Sequence, residues 1–222
     1  MKVLSLSDVQ LQFIYGPQIQ KRFPDIDLVI GCGDLSYSYQ EYVLTSLNVP
    51  LYYVRGNHDK EIEYSPEEKR RGPNGGVDLH RRVVNYKGLL LAGVEGSLRY
   101  RIGRYQYTQT EMWNNVFHLI PGLLFNRIIH GRYLDVLVTH APPRGIHDKT
   151  DLPHQGIDAF RWFIKVFKPA YHFHGHIHVY RPDAPVETKF EQTLVINTYG
   201  YRETTLFFGP AYARSDLDQR AS

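Results

Sequence analysis

The sequence has a single cysteine, Cys32, among its 222 residues. One cysteine cannot form a disulfide within the chain, and a low cysteine content is typical of a reducing compartment. No apolar run approaches the roughly 18 residues that a membrane-spanning helix needs. A charge at Asp8 interrupts the first apolar run too early for a signal peptide. We therefore expect a cytoplasmic protein without a membrane partner.

Charge of one sign is also scarce, since the formal net charge is only +3. So small an excess, without a basic stripe, argues against long nucleic acid as a partner but leaves it open. Hydrophobic residues make up 42% of the chain and charged residues 22%, which is ordinary for a globular protein. We expect one domain over residues 1–213 and a polar tail over residues 214–222.

Short apolar runs alternate with helical patterns in the first third of the chain, at residues 3–6, 27–30 and 51–54 for strands and 17–23 and 37–47 for helices. This alternation is typical of a parallel sheet with helical crossovers. In such sheets ligands bind beyond the carboxyl ends of the strands. Residues that can bind metals follow each predicted strand: Asp8, Asp34, and Asn57 with His58.

The rest of the chain continues as mixed α/β structure. Thr108 and Glu111 form a capping-box pattern, so a helix is expected to begin there, break near Pro121 and resume to about residue 130. The other predicted elements are a surface loop over 61–78, a hairpin over 83–94, a strand over 135–139 ending at His140, a helix over 156–167, and strands over 193–197 and 204–208.

Residues 171–180 read Tyr-His-Phe-His-Gly-His-Ile-His-Val-Tyr. If this stretch is an extended strand, its alternate side chains share a face. The four histidines then line one face, and imidazole is a common ligand of first-row metals. A solvated polar strand face is the simpler alternative. The histidines in question are His172, His174, His176 and His178.

The motifs at these strand ends resemble the signature of the calcineurin-like metallophosphoesterase superfamily. The matching blocks are Gly33-Asp34, Gly56-Asn57-His58-Asp59, the strand-end His140 and Gly175-His176-Ile177-His178, preceded by Asp8. The segments 96–100 and 139–143 also look like a functionally unassigned bacterial branch of this superfamily. The resemblance implies a four-layer α/β fold, with two mixed sheets packed face to face and helices outside.

The resemblance also implies a centre of two divalent cations bridged by the carboxylate of Asp34. Its metal ligands would be Asp8 and His178 for one cation, Asn57, His140 and His176 for the other, and Asp34 for both. His58 would lie beside the cations, to contact a phosphate oxygen or protonate the leaving group, which makes His58 and Asp34 the expected catalytic residues. Ligand sets of nitrogen and oxygen accept several first-row metals, so manganese is favoured, with iron, nickel or zinc as alternatives.

One block departs from the family pattern, because Gln10 stands where the family has histidine. An amide oxygen is a weaker donor than imidazole for first-row metals. We expect either that Gln10 is a weak ligand or that water replaces it. His174 and Asp148 are candidates for residues that contact the metal ligands and orient them without binding the metal. Arg99, Arg101 and Arg104 could recognise phosphate, although a solvated loop is the simpler explanation.

The implied function is hydrolysis of a phosphomonoester or diester by a hydroxide that bridges two divalent metals, with a small phosphate ester as substrate. One alternative is a catalytically weak sensor that binds metal or phosphate. The glutamine at position 10, in place of the family histidine, is the feature that favours this hypothesis. A histidine-rich metal store is another, which residues 172–178 alone would allow. The sequence leaves the oligomeric state open.

Overall fold

Two mixed sheets form the centre of the computed structural model, which describes residues 1–64, 69–181 and 183–209. Within those ranges the strands are β1 (Lys2–Ser7), β2 (Leu28–Gly31), β3 (Leu51–Tyr53), β4 (Glu63–Tyr64), β5 (Lys69–Arg70), β6 (Gly76–Asp78), β7 (Arg82–Tyr86), β8 (Leu89–Val94), β9 (Ser97–Leu98), β10 (Gln106–Tyr107), β11 (Val136–Thr139), β12 (Tyr171–His174), β13 (Glu187–Phe190), β14 (Thr193–Asn197) and β15 (Gly200–Thr205). The helices are α1 (Ile19–Arg22), α2 (Tyr37–Leu47), α3 (Gln109–Phe117), α4 (Ile120–His130) and α5 (Asp158–Phe167).

The first sheet has the order β15-β1-β2-β3-β6, and the second has the order β13-β14-β12-β11-β8-β7. In the first sheet β1, β2, β3 and β6 are parallel, and β15 pairs antiparallel with β1. In the second sheet β8, β11, β12 and β14 are parallel between the antiparallel edge strands β7 and β13. The parallel strands direct their carboxyl ends to one edge of each sheet.

Alternation along the strands produces the layers. Val3 on β1 faces the second sheet and packs in one core with Val138 and Phe173, whereas its neighbour Leu4 faces the other way. Leu4 lies in a second core that α1 and α2 cover. The outer face of the second sheet is covered by α3, α4 and α5, where Phe160 and Phe163 are fully buried. The predicted four-layer α/β arrangement is therefore confirmed.

Several local predictions are also confirmed. Thr108 and Glu111 form the capping box of α3, with the hydroxyl of Thr108 accepting from the backbone N–H of Glu111. The hairpin β7–β8 turns at Lys87 and Gly88, both with positive φ. The break between α3 and α4 comes at His118 and Leu119, so Pro121 lies in the first turn of α4 rather than at the break.

Three predictions were wrong. The strand predicted over 204–208 lies instead at Gly200–Thr205, where it pairs with β1. The segment predicted as a surface loop, residues 61–78, contains β4, β5 and β6 in its described parts, and β6 extends the first sheet. The histidine-rich stretch is extended only to His174, because Gly175 follows and His176 adopts a φ of 68°. The four histidines therefore do not share one face. The predicted tail, residues 214–222, lies outside the described residues, and in the described ranges no helix is long and apolar enough to cross a membrane.

Candidate metal centre

The predicted ligands meet at the carboxyl ends of strands from both sheets. Asp8 follows β1, Asp34 follows β2, Asn57 follows β3 and His140 follows β11. Asp8, Asp34 and His176 have φ values of 64°, 57° and 68°. This left-handed conformation is uncommon outside glycine and turns the chain sharply. The turns redirect these side chains away from their strands and towards the edge shared by the two sheets.

One group of donors surrounds a single point. The ligand atoms of Asp34, His140 and His176 all lie within 4.8 Å of one another, so they form a candidate metal site. Nε2 of His140 lies 2.9 Å from Oδ1 of Asn57, 3.4 Å from Oδ2 of Asp34 and 3.1 Å from Nδ1 of His176. Two imidazole nitrogens, a carboxylate and a neutral amide oxygen are suitable ligands for a first-row divalent cation.

Backbone carbonyls orient both imidazoles of this group. Nδ1 of His140 lies 2.7 Å from the carbonyl of Cys32, and Nε2 of His176 lies 2.7 Å from the carbonyl of Pro153. A ring nitrogen that donates to a carbonyl carries the proton, which leaves the other nitrogen free to bind a cation. When both rings are neutral, the nitrogens available to a cation are Nε2 of His140 and Nδ1 of His176, the two that face each other.

Asp8 and His178 form the adjoining part of the centre. Nε2 of His178 lies 3.8 Å from Oδ1 of Asp8, and its Nδ1 lies 2.8 Å from the hydroxyl of Tyr180. Oδ2 of Asp8 accepts hydrogen bonds from the hydroxyl of Ser7 at 2.5 Å and from the backbone N–H of His176 at 3.0 Å. A Cβ at Gly175 would lie 2.5 Å from Oγ of Ser7 and 2.8 Å from Oδ2 of Asp8. Glycine is therefore required where the backbone passes this carboxylate.

The electrostatics of the group favour a bound cation. Burial raises the pKa of Asp8. Burial would also raise the pKa of Asp34, but the charge and hydrogen bond of His140 outweigh it and hold that pKa at about 2. Burial opposes charge on His140, but Asp34 and Asp8 raise its pKa to about 9. Burial lowers the pKa of His176 to about 3. Buried carboxylates need a compensating positive charge, which a proton on His140 or a metal ion provides.

Asp59 holds the loops that carry Asp34 and Asn57. Its Oδ2 accepts from the backbone N–H groups of Gly56 at 2.7 Å and Asp34 at 3.1 Å, and its Oδ1 accepts from Leu35 at 3.1 Å. Burial, together with the charge of Asp34, raises the pKa of Asp59 to about 7. The sequence interpretation gave Asp59 no role, although its place in the Gly-Asn-His-Asp block was a usable signal.

His58 lies at the open side of the centre. Its backbone N–H donates to Oδ1 of Asp34 at 2.8 Å, and its side chain is exposed. A cavity of about 260 Å³ opens beside it, lined by Gln10, Asp34, Ser36 and Lys60 among others. A guanidinium nitrogen of Arg101 lies 3.5 Å from Nδ1 of His58. Arg101 is a cation that can pair with an anionic ligand bound beside His58, while the cavity lining itself also includes the carboxyl groups of Asp59 and Glu63.

The remaining sequence candidates have other partners. The amide of Gln10 donates to the hydroxyl of Ser36 at 3.0 Å. Nε2 of His174 lies 2.8 Å from Nδ1 of His147, and its Nδ1 lies 2.9 Å from the carbonyl of Gly175. Asp148 accepts from the backbone N–H of Gly156 at 3.0 Å. Among the described residues, no hydrogen bond joins Asp148 to His140, His176 or His178, because the carbonyl of Pro153 fills that role for His176.

Tyr100 is a contact that sequence reasoning missed. Its hydroxyl accepts from Nδ2 of Asn57 at 3.3 Å, which leaves Oδ1 of Asn57 directed at His140. Nothing in the local sequence distinguishes Tyr100 from the other tyrosines of the chain. In the same loop Arg99 pairs with Glu111 and Arg104 with Glu61, both at 2.9 Å.

Solved structures share this fold at low identity. TT1561 of Thermus thermophilus superimposes with a TM-score of 0.59 at 16% identity, over 90% of this chain and 89% of that chain. Another solved chain superimposes with a TM-score of 0.60 at 14% identity, over 93% of this chain and 99% of that chain. A novel archaeal phosphodiesterase overlaps more loosely, with a TM-score of 0.41 at 16% identity, over 93% of this chain and 100% of that chain.

No protein of curated function matches this sequence significantly. The family model described as calcineurin-like phosphoesterase matches residues 1–180, a range that includes every residue of the centre described above. With the fold and this match in agreement, the chain belongs to the calcineurin-like phosphoesterase family.

Proposed function

We propose that this protein is a metal-dependent phosphoesterase that hydrolyses a small phosphomonoester or diester. The observation that carries the proposal is the convergence of Asp34, Asn57, His140 and His176 from four separate loops. Simpler side chains could fill any purely structural role at this point, so this set of donors indicates a metal site. Two divalent cations bound there would neutralise phosphate oxygens and lower the pKa of a bound water, which supplies hydroxide at neutral pH.

Each residue of the centre has its own proposed role. Asp34 is the proposed ligand of both cations, because only a carboxylate has two equivalent oxygens. Asp8 and His178 would hold one cation, and Asn57, His140 and His176 the other. The neutral amide of Asn57 keeps the anionic charge low, which leaves the cations attractive to a phosphate ester. We favour manganese, with iron, nickel or zinc as alternatives.

His58 is the proposed acid at the open side of the centre. Its exposed ring faces the cavity, where it can contact a phosphate oxygen or give a proton to the leaving oxygen. The backbone bond from His58 to Asp34 fixes its position relative to the metal ligands. A histidine-only metal store has less support, because the described contacts of His172 and His174 are with Thr139, His147 and Gly175 rather than with the centre.

The test is metal-dependent release of nitrophenol from mono- and bis-nitrophenyl phosphate, with Mn²⁺, Ni²⁺, Zn²⁺ and Mg²⁺ compared. We expect turnover that chelation abolishes and metal restores. Asp34→Asn and His58→Ala should remove it, while His118→Ala, an exposed histidine at the end of α3, should not. Tight phosphate binding without turnover would instead support the sensor. Turnover that survives chelation would contradict both functions.

A further inference from the structure

Helix α4 presents an apolar face to solvent. Ile128 is 80% exposed and Phe125 is 61% exposed, whereas Leu123 is buried and packs against the second sheet. On the buried side Asn126 donates to the carbonyl of Tyr133 at 3.0 Å. A helix with apolar residues on both sides needs a cover for its outer side. We call the exposed set the α4 face: Phe117, Pro121, Leu124, Phe125, Ile128 and Ile129.

The rim of the α4 face is cationic. Residues 117–133 contain no aspartate or glutamate, but they contain the exposed Arg127 together with His118 and His130. The guanidinium of Arg132 pairs with the buried Asp135 at 2.7 Å and is not counted in this rim. The turn of the β7–β8 hairpin adds Lys87, which is exposed. Arg132 donates to the carbonyl of Gly88 at 2.7 Å, which places the hairpin turn at the C-terminal end of the helix.

Charge complementarity selects the occupant of this face. A second copy of the chain that docked through the same face would bring the same cationic rim, and residues 117–133 offer no carboxylate to receive it. An anionic lipid surface supplies acyl chains for the apolar side chains and negative headgroups for the rim. We propose that the α4 face docks the protein on an anionic membrane surface. The proposal replaces the expectation of no membrane partner, which rested on the lack of a spanning helix.

The chain carries its own reporter for this docking. It has two tryptophans, Trp113 and Trp162. Their rings lie 5.7 Å and 6.0 Å, between centroids, from the ring of Phe117 on the α4 face. Insertion of Phe117 into lipid would move both indoles into less polar surroundings. Their fluorescence should therefore shift to the blue when the face binds a vesicle.

The experiment mixes the full chain with phosphatidylcholine vesicles, with or without phosphatidylglycerol, and measures flotation and tryptophan emission. We expect binding and a blue shift with phosphatidylglycerol, and about tenfold weaker binding without it. The double variant Phe125→Gln, Ile128→Gln should bind at least about tenfold more weakly. Arg127→Glu with Lys87→Glu should remove the preference for the anionic lipid. Val166→Gln, an exposed apolar position on α5, is the matched control and should bind like the unchanged chain.

Three results would overturn the proposal. One is no flotation of the unchanged chain with anionic vesicles. Another is flotation that the double variant leaves unchanged while circular dichroism shows both proteins folded. The third is a dimer in sedimentation equilibrium, without lipid, that the double variant converts to a monomer, since that would assign the face to a second copy. All three can be measured with metal-free protein, so none depends on the phosphoesterase activity.

Discussion

Oδ1 of Asn57 lies 2.9 Å from Nε2 of His140, although 83 positions separate the two residues in the chain. Asn57 follows a strand of the first sheet, and His140 follows a strand of the second. A second hydrogen bond orients each side chain: Asn57 bonds to the hydroxyl of Tyr100, and His140 bonds to the carbonyl of Cys32. The candidate centre therefore depends on the packing of the two sheets and on the groups that support its ligands.

Removal of the Tyr100 hydroxyl should weaken metal binding. In Tyr100→Phe the amide of Asn57 loses the acceptor that fixes its orientation, so its oxygen faces the cation for less of the time. Loss of such a supporting bond lowers metal affinity by about tenfold in comparable sites. Calorimetric titration with Mn²⁺ measures the change. Tyr64→Phe, at an exposed position, is the control, and equal affinities for the two variants would contradict the prediction.

Replacement of Gln10 should reveal unequal metal sites. The amide of Gln10 donates to Ser36, the N-cap of α2, so the Asp8 and His178 part of the centre has one donor fewer than the family pattern provides. We expect a tight and a weak step when the metal-free protein is titrated with Mn²⁺. Gln10→His should strengthen the weak step about tenfold, since imidazole is the better ligand.

The same substitution at a nearby position controls for a general effect of added histidine. Gln12 is exposed, and Gln12→His should leave both steps unchanged. Two equally tight steps in the unchanged chain would contradict the prediction.

Arg101 should contribute to substrate binding. It lies 3.5 Å from His58, and among the described residues it has no carboxylate partner, unlike Arg99 and Arg104 in the same loop. Arg101→Gln should lower kcat/KM for a nitrophenyl phosphate by about tenfold, mainly through a higher KM. Steady-state kinetics at saturating Mn²⁺ measures this. Arg104→Gln is the matched control, and an equal loss in both variants would show that the effect is not local.

Buried neutral histidines should make the fold sensitive to acid. Burial lowers the pKa of His172 to about 3, against about 6.5 in an unfolded chain. Between these values the unfolded chain binds the proton and the folded chain does not, so the free energy of unfolding falls as the pH falls below about 6.5. His147 and His174 have pKa values lowered by burial and act in the same direction.

Urea denaturation at a series of pH values tests this dependence. One such histidine contributes up to roughly 1.4 kcal/mol per pH unit to the slope. Averaged between pH 7 and 5, His172→Gln should reduce the slope by roughly 1 kcal/mol per pH unit, while His118→Gln, at an exposed position, should not. An unchanged slope in His172→Gln would contradict the prediction.

Much of the fold could be predicted from local sequence patterns. The short apolar run over 3–6 predicted a strand, and the structure has it at Lys2–Ser7, with Val3 and Leu4 in different cores. The Thr108 capping box and the Lys87 turn were readable because neighbours in sequence make those contacts. The prediction for the histidine-rich stretch was wrong because it assumed that the alternation of side chains between two faces continues through Gly175. The positive φ of His176 ends that period and turns its ring towards His140.

By itself the sequence determined, to within one residue, where β1, β2, β3 and β11 end, and it determined the order in which the ligand blocks occur, because such strand ends and turns depend on contacts between neighbours. Only the tertiary structure decided which of those side chains meet, that Tyr100 and the carbonyl of Pro153 support them, and that Gln10 faces Ser36. It also decided which side of α4 lies open, since both sides are apolar in the sequence. Such contacts join residues far apart in the chain, and their geometry is set by how the layers pack.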